Sequence, residues 1–383
     1  MCEDLAGADS LHIADYAVFV LMLLVSATIG LHYAWIGRRQ QNTQEFLTGD
    51  RKLTALPVSL SLTASDLSSI ILISIPVEVY RYGAIIGYAC FGHFLAQVFT
   101  CEIFLPVFYR LPITSTFQYL ELRYNKVTRL LVTFLAIIQT LLLSGLAIYA
   151  PALALNQVTG WNLWVVIVVT GMVCTAYSAL PAFCVISKCL SLGVSILSNS
   201  QGGRLNFLDF DLNPLRRHTF WTIAIGGTLG WTMTSGTSQT QVQRYNSCKS
   251  ITHDFITETI LYHLKCGKFS GLHMEVTDPW TAGKISFSDQ LLPYLVMDIL
   301  KSYPGLPGLF LAAVYSGTLS TVSSIINTLA AVTLEDLIKP NVTLTDRQLL
   351  YISRALSTIG GLCVSMAGLA SLMGLLAQVV RIC

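Results

Sequence analysis

Residues 306–333 read LPGLFLAAVYSGTLSTVSSIINTLAAVT, 28 residues without an acidic or basic side chain and with a dense hydroxyl run at Ser316, Thr318, Ser320, Thr321, Ser323 and Ser324. About 20 apolar residues cross the roughly 30 Å of hydrocarbon in a bilayer, so this stretch is long enough to be a membrane span. The hydroxyls are unusual for a lipid-facing helix. Two readings account for them: close helix–helix packing through small residues, or neutral oxygens that hold a cation at mid-membrane.

Similar runs lie near 12–36, 54–80, 84–109, 127–155, 161–184, 219–236 and 348–380, with a shorter one near 183–198. None alternates apolar and polar residues in the ten-residue pattern of barrel strands, and helices satisfy their own backbone in lipid. The expectation is therefore an all-α, multi-spanning membrane protein. Composition agrees, with 53% hydrophobic and 11% charged residues among 383. The net charge of +2 leaves no basic face for nucleic acid. Ten cysteines, with no CxxC pair and no histidine cluster at ligand spacing, read as reduced core residues. Glu3, Asp4 and Asp9 precede the first run, so that run reads as an uncleaved span. No nucleophile elbow, phosphate loop or zinc motif is present, so no enzymatic chemistry is expected and no cofactor.

Charges between the spans set an expected orientation. Arg38, Arg39, Arg51 and Lys52 follow the first run, and Arg110, Arg123, Lys126 and Arg129 follow the third, whereas 156–162 carries no charge. The positive-inside bias then places the N-terminus outside. Arg244 and Lys249 fall inside, 278–290 outside and 335–347 inside. That alternation needs an odd number of crossings between Lys249 and Asp278, yet 250–277, with His253, Asp254, Glu258, His263, Lys265 and Lys268, is too polar to supply one. The sequon Asn341-Val342-Thr343 falls inside and is expected to carry no glycan.

A second hydroxyl-rich span, 59–79, contains Ser59, Ser61, Thr63, Ser65, Ser68 and Ser69 ahead of Pro76. It also contains Asp66, and a carboxylate at the bilayer centre costs about 2.5–3.5 kcal/mol on insertion scales. Asp66 reads either as an added cation or proton ligand, or as a side chain that is protonated or faces a water-filled gap. His93 and Glu102 read as reaching a neighbour or the membrane interface.

The strings Pro106-Val107-Phe108-Tyr109-Arg110-Leu111, Tyr119-Leu120-Glu121-Leu122-Arg123-Tyr124-Asn125-Lys126, 149–160 (YAPALALNQVTG), Gln241-Val242-Gln243-Arg244-Tyr245, 304–310 (PGLPGLF) and Ser316-Gly317-Thr318-Leu319-Ser320-Thr321 resemble the sodium/solute symporter family, in its monocarboxylate, iodide and multivitamin branch. Residues 202–207 (GGRLNF) and 278–282 (DPWTA) are most similar to the monocarboxylate members. The resemblance implies one transporter domain over 1–383, with an extra N-terminal helix at 12–36, a first repeat at 54–200 and a partial second repeat at 219–380. The two repeats would be inverted five-helix units, with solute and sodium where the first helix of each unwinds.

The same resemblance implies a sodium site at Ala64, Leu67, Gly317, Ser320 and Thr321, supported by Ser68, Ser323 and Asn327, with solute near Ser69, Ile71, Trp231 and Gln239. It implies a multi-pass plasma-membrane protein in which Na⁺ is the coupling ion and a small monocarboxylate such as lactate, a short-chain fatty acid or nicotinate is carried. Ile71 stands where relatives commonly have a polar residue, which leaves iodide or a vitamin open as the solute. Three departures stand against the pattern: 181–199 lacks the family's Trp-Thr-Asp motif, 250–277 lacks an expected helix, and the chain ends at Cys383 before the last core helix. They support a second expectation, a non-transporting chain that binds or regulates a full-length relative. A passive channel is a third reading, without a ring of pore-lining charge to favour it.

Overall fold

In the computed structural model, the described residues are 11–36, 54, 58, 71, 73, 74, 77, 78, 84–111, 113, 115–178, 209–213, 216, 218–248, 290–300, 302–342 and 345–372. Among them the regular structure is helical, with eleven α-helices; eight lie on the apolar runs, and Thr116–Arg123, Gln239–Tyr245 and Leu291–Leu300 lie between them. Helix α1 is Ile13–Ile36; α2, Ala89–Phe99, passes through a wide π-helical turn at Thr100–Phe104 into α3, Leu105–Arg110. Next come α4, Thr116–Arg123, α5, Lys126–Thr159, and α6, Leu163–Ser178. A second wide turn, Thr222–Gly227, leads into α7, Thr228–Thr237, and then α8, Gln239–Tyr245. Helices α9, Leu291–Leu300, α10, Leu306–Val332, and α11, Asp346–Leu372, complete the set, with a third wide turn at Thr333–Ile338 after α10.

Among the described residues three helical stretches are long and apolar enough to cross a membrane: Ile85–Arg110, Lys126–Thr159 and Leu306–Ile338. The second runs 34 residues, about 50 Å at 1.5 Å per residue, so it overshoots the hydrocarbon at one end or both. Local chemistry fixes its limits. The Asn125 side chain accepts the Thr128 N–H at 2.8 Å, and Gly160, with φ +72°, closes the last turn through its own N–H to Asn156 O at 2.8 Å. Pro151 sits inside it and contributes no N–H to the helical ladder.

The core lies where α5, α6, α10 and α11 meet, with Ile148, Ile167, Leu311, Val322, Ile326 and Val364 fully enclosed. Lipid tails are as apolar as these side chains, so close packing rather than water exclusion holds the helices together. Small residues make that packing possible. A Cβ on Gly171 would lie 2.3 Å from Ser365 Oγ, and one on Gly361 2.5 Å from Thr175 Oγ1, so α6 and α11 touch backbone to side chain at two levels.

Helix α1 is pinned to the start of α10. The Asp15 carboxylate, 1% exposed, accepts the N–H groups of His12 at 3.0 Å, Gly305 at 2.7 Å and Gly308 at 3.3 Å. One carboxylate thus serves the first turns of two helices, where unpaired N–H groups and the helix dipole favour negative charge. Further along, the Phe19 and Tyr315 rings meet edge to face with centroids 5.4 Å apart. A bond between Thr170 and Tyr315 ties α6 to the same stretch of α10.

Candidate functional site

The hydroxyl run of 306–333 lies on α10, an uninterrupted and largely buried helix. Ser316, Gly317, Thr318 and Ser320 are buried, while Thr321, Ser323 and Asn327 are half-buried. At 3.6 residues per turn, Ser316, Ser320, Ser323 and Asn327 share one face. Most of the hydroxyls bond back to the helix: Thr321 Oγ1 donates to Gly317 O at 3.0 Å, and Ser323 and Ser324 Oγ both donate to Ser320 O, at 3.1 and 2.7 Å. Ser316 Oγ and Asn327 Oδ1 are buried without a hydrogen-bond partner among the described residues. Buried polar atoms in native structures are nearly always paired, so an unpaired oxygen above and another below Ser320 mark this face as one with acceptors to spare.

Of the residues expected to complete the sodium site, Ala64, Leu67 and Ser68 lie outside the described residues, as does Asp66; so does Ser69 from the solute group. The stretches 181–199 and 250–277 fall outside as well. Ile71 is half-buried.

Trp231 and Gln239 fall on either side of a break. Helix α7 ends at Ser238, whose φ of −62° and ψ of 126° are extended, and α8 begins at the next residue. The small run Gly236-Thr237-Ser238 makes the break local: Phe104 packs where a Cβ on Gly236 would sit, 2.6 Å away. Trp231 leans on α2, with its indole stacked on the His93 imidazole at a centroid distance of 3.8 Å and its ring edge where a Cβ on Gly92 would lie, 2.7 Å off. His93 therefore meets a neighbouring aromatic ring. Gln239 Oε1 accepts the Thr116 N–H at 2.7 Å and so anchors the first turn of α4 to the broken helix.

The same turn of α4 is held from a second side. Ser115 Oγ caps the helix by accepting the Phe117 N–H at 3.2 Å and donates to Asp336 Oδ2 at 2.7 Å. Asp336, 1% exposed, also receives Arg129 Nε at 3.0 Å and Thr133 Oγ1 at 3.3 Å. Arg129 spreads its remaining donors over Glu121, which it meets as an ion pair, and Glu335 O at 2.9 Å. These charges count in the sequence only as loop residues that set orientation. The fold buries them as a lock between α4, α5 and the wide turn after α10. A shorter link joins α8 to α10, where Arg244 Nη2 donates to Ser324 Oγ at 2.5 Å.

At the opposite end of the bundle, His218 Nε2 lies 2.8 Å from Glu78 Oε2. Beside it Asp211 accepts the Asn213 N–H at 3.0 Å and an Arg216 N–H at 3.0 Å. The Asn213 N–H and, next, the Arg216 guanidinium hold the Asp211 carboxyl below its ordinary value.

This arrangement offers neutral oxygens on a buried helix, a helix broken in mid-course beside it, and ionic locks at both ends. Oxygens of this kind suit a small cation, and among the described residues no nucleophile and base come together there. Known proteins point the same way. The sodium:solute symporter family pattern matches residues 46–187. Over 409 residues the chain is 51% identical to the human sodium-coupled monocarboxylate transporter 1, covering 97% of this chain and 67% of the relative. It is 43% identical to the mouse sodium-coupled monocarboxylate transporter 2 and to the human sodium/iodide cotransporter, covering 64% and 61% of those proteins. The chain thus spans about two thirds of the length of the curated relatives it matches. A solved Na⁺-coupled sialic acid symporter, captured substrate-bound and outward-open, superposes with a TM-score of 0.77 at 19% identity, over 94% of this chain and 83% of that one; the likeness shows the fold. With half its residues shared with a relative over nearly its whole length, this membrane protein belongs to the sodium:solute symporter family.

Proposed function

We propose that the chain carries the ion-binding part of a sodium-coupled symporter for small monocarboxylates, with lactate, short-chain fatty acids and nicotinate as the solute class. The observation that carries the reading is the buried face of α10, where Ser316 Oγ and Asn327 Oδ1 have no partner among the described residues on either side of Ser320 and Ser323. Sodium would be held by Gly317, Ser320 and Thr321 together with backbone oxygens of Ala64 and Leu67, and Ser68, Ser323 and Asn327 would support it. Neutral ligands suit the task, because they coordinate the ion without adding a buried carboxylate charge at mid-membrane. Solute would bind near Ser69, Ile71, Trp231 and Gln239, where α7 breaks and the two inverted repeats would face each other. Sodium entering from outside favours the outward-open form and completes the solute site, and inward opening releases both. Each charge moved through 100 mV contributes about 2.3 kcal/mol, enough for one or two sodium ions to concentrate an anion.

The orientation would place the N-terminus and Asp15 outside and the Arg129–Asp336 lock on the cytoplasmic side of the plasma membrane, where the Lys and Arg clusters lie. Uptake of labelled lactate by cells expressing the chain should require external Na⁺ and fall to background in T321A. Equal uptake in choline medium would end this reading.

A second reading draws on the polar stretch 250–277, where the family pattern has a membrane helix. In it the chain moves no solute alone and associates with a full-length relative. Co-expression distinguishes the two: a changed surface amount of the relative, with no flux from this chain alone, is the result this second reading demands.

A further inference from the structure

Gln97 lies in α2, within the apolar run 84–109, and is 4% exposed. Its Oε1 and Nε2 are both buried without a hydrogen-bond partner among the described residues. A carboxamide brings donors and an acceptor, and burying it with neither paired costs stability that an apolar side chain of the same size would keep. Native structures pair nearly all such groups, so an orphan amide points to a partner that is not part of the fold.

The helices around Gln97 define where that partner binds. Thr228 Oγ1 donates to Gly92 O at 3.3 Å and the Trp231 ring fills the space beside Gly92, whereas Phe104 packs against Gly236. Helices α2 and α7 therefore run side by side in the same direction, and Gln97 falls between these two levels. It comes one turn after His93 and on the same face, and the His93 ring is stacked on Trp231. Gln97 thus stands between Trp231 and the break at Ser238. The wide turn Thr100–Phe104 opens three residues later, a distortion that recurs at functional sites. Nearby, Ile71 has no hydrogen-bonding side chain, and Gln239 Oε1 is engaged by the Thr116 N–H.

We infer that Gln97 is a specificity-determining residue that favours 2-hydroxy acids such as lactate over plain acids such as propionate; the inference rests on the solute site proposed above. In a 2-hydroxy acid the carboxylate and the hydroxyl sit on adjacent carbons, close enough to meet both ends of one carboxamide. Nε2 donates to the carboxylate, and the hydroxyl donates to Oε1. Propionate is lactate without the hydroxyl, so it satisfies Nε2 and leaves Oε1 as bare as before. The extra hydrogen bond to lactate is a gain, because Oε1 is already out of water and gives up no hydration to make it. Sites that pair a solute hydroxyl discriminate against the analogue lacking it for this reason.

The full chain, purified in detergent, is melted at a fixed Na⁺ concentration against rising lactate or rising propionate, and the midpoint of each acid's stabilisation is read. Wild type should respond to lactate at a concentration about tenfold below that for propionate, the size of one hydrogen bond made in a dry site. In Q97L the two midpoints should come within about twofold of each other, mostly because that for lactate rises. Q97M keeps the length of the side chain and carries the same expectation where Q97L yields no folded protein. Without solute, both variants should melt no lower than wild type, since each removes an unpaired buried amide. A lactate preference that persists in Q97L or Q97M, equal midpoints already in wild type, or solute-free variants that both melt below wild type overturn the role of Gln97 and leave the solute site standing. Wild-type chain that gains nothing from either acid in Na⁺ overturns that site, and this inference with it.

Discussion

Arg129 and Asp336, 207 residues apart in sequence, meet inside the protein with Nε 3.0 Å from Oδ1. Ser115 and Thr133 fill the other carboxylate oxygen, so the charge is compensated and its acceptors are used. Removing one partner from a buried pair strands the other, at a cost of about 3–5 kcal/mol, whereas replacing both by apolar side chains of similar size is often nearly neutral. D336A and R129A should each lower the melting temperature in detergent sharply, and the double variant R129M/D336L should recover most of the loss. A D336A protein that melts with wild type would show that the lock contributes nothing.

Asp15 joins α1 to α10 in the same way at the other end. D15A removes the acceptor for three backbone N–H groups and should destabilise the chain by about 1–2 kcal/mol, the range for losing a helix cap. G308A should do more harm, because its new Cβ would lie 2.1 Å from Asp15 O and force the two helices apart. Thermal melts of both variants check the order; G308A matching wild type would mean that α1 is not seated on α10.

The contact between α6 and α11 makes a sharper comparison. G361A places a methyl against Thr175 and should cost about 1–3 kcal/mol, as overpacking does. G230A, on α7, has nothing within 4 Å of its new Cβ and should melt with wild type or slightly above it. Equal effects from the two substitutions would deny the close helix approach.

The segment 209–216 gives a dependence on pH. The Asp211 carboxyl titrates below its ordinary 3.8 in the folded protein, so its support for this turn is complete above that value and is lost as pH falls through the lower folded one. Amide exchange in 209–216 should therefore be equally slow, after correction for intrinsic rates, at pH 7 and pH 5. D211N should speed it at both. Protection lost already between pH 7 and pH 5 would assign the turn to another group.

Spans were the most legible part of the sequence, because twenty apolar residues mean the same thing in any context: 306–333 became Leu306–Val332 with its wide turn, and 127–155 became Lys126–Thr159. Their ends were less so. Asn125 and Gly160 extend the latter helix beyond its apolar run, since caps act through the backbone. Within the site, hydroxyl density pointed to α10, and nothing local pointed to Arg129 and Asp336. A pair separated by 207 residues leaves no periodicity, and each charge alone looks like an ordinary loop residue. Gln239 and Trp231 show the same limit. Family strings nominated both for solute, and only the packing of α4 and α2 against them reveals that Gln239 already accepts from Thr116 and Trp231 already stacks on His93.

The wide turn at Thr333–Ile338 sets where Asp336 faces. Such a turn holds one residue more than an α-turn, and each residue rotates a helix by about 100°. Had the chain continued in regular register from Val332, the carboxylate would sit about a quarter-circle away, pointing along the bundle wall instead of at Arg129. Deleting a single residue between Thr333 and Glu335 would thus unhook the far end of α10 while leaving every one of its hydroxyls in place.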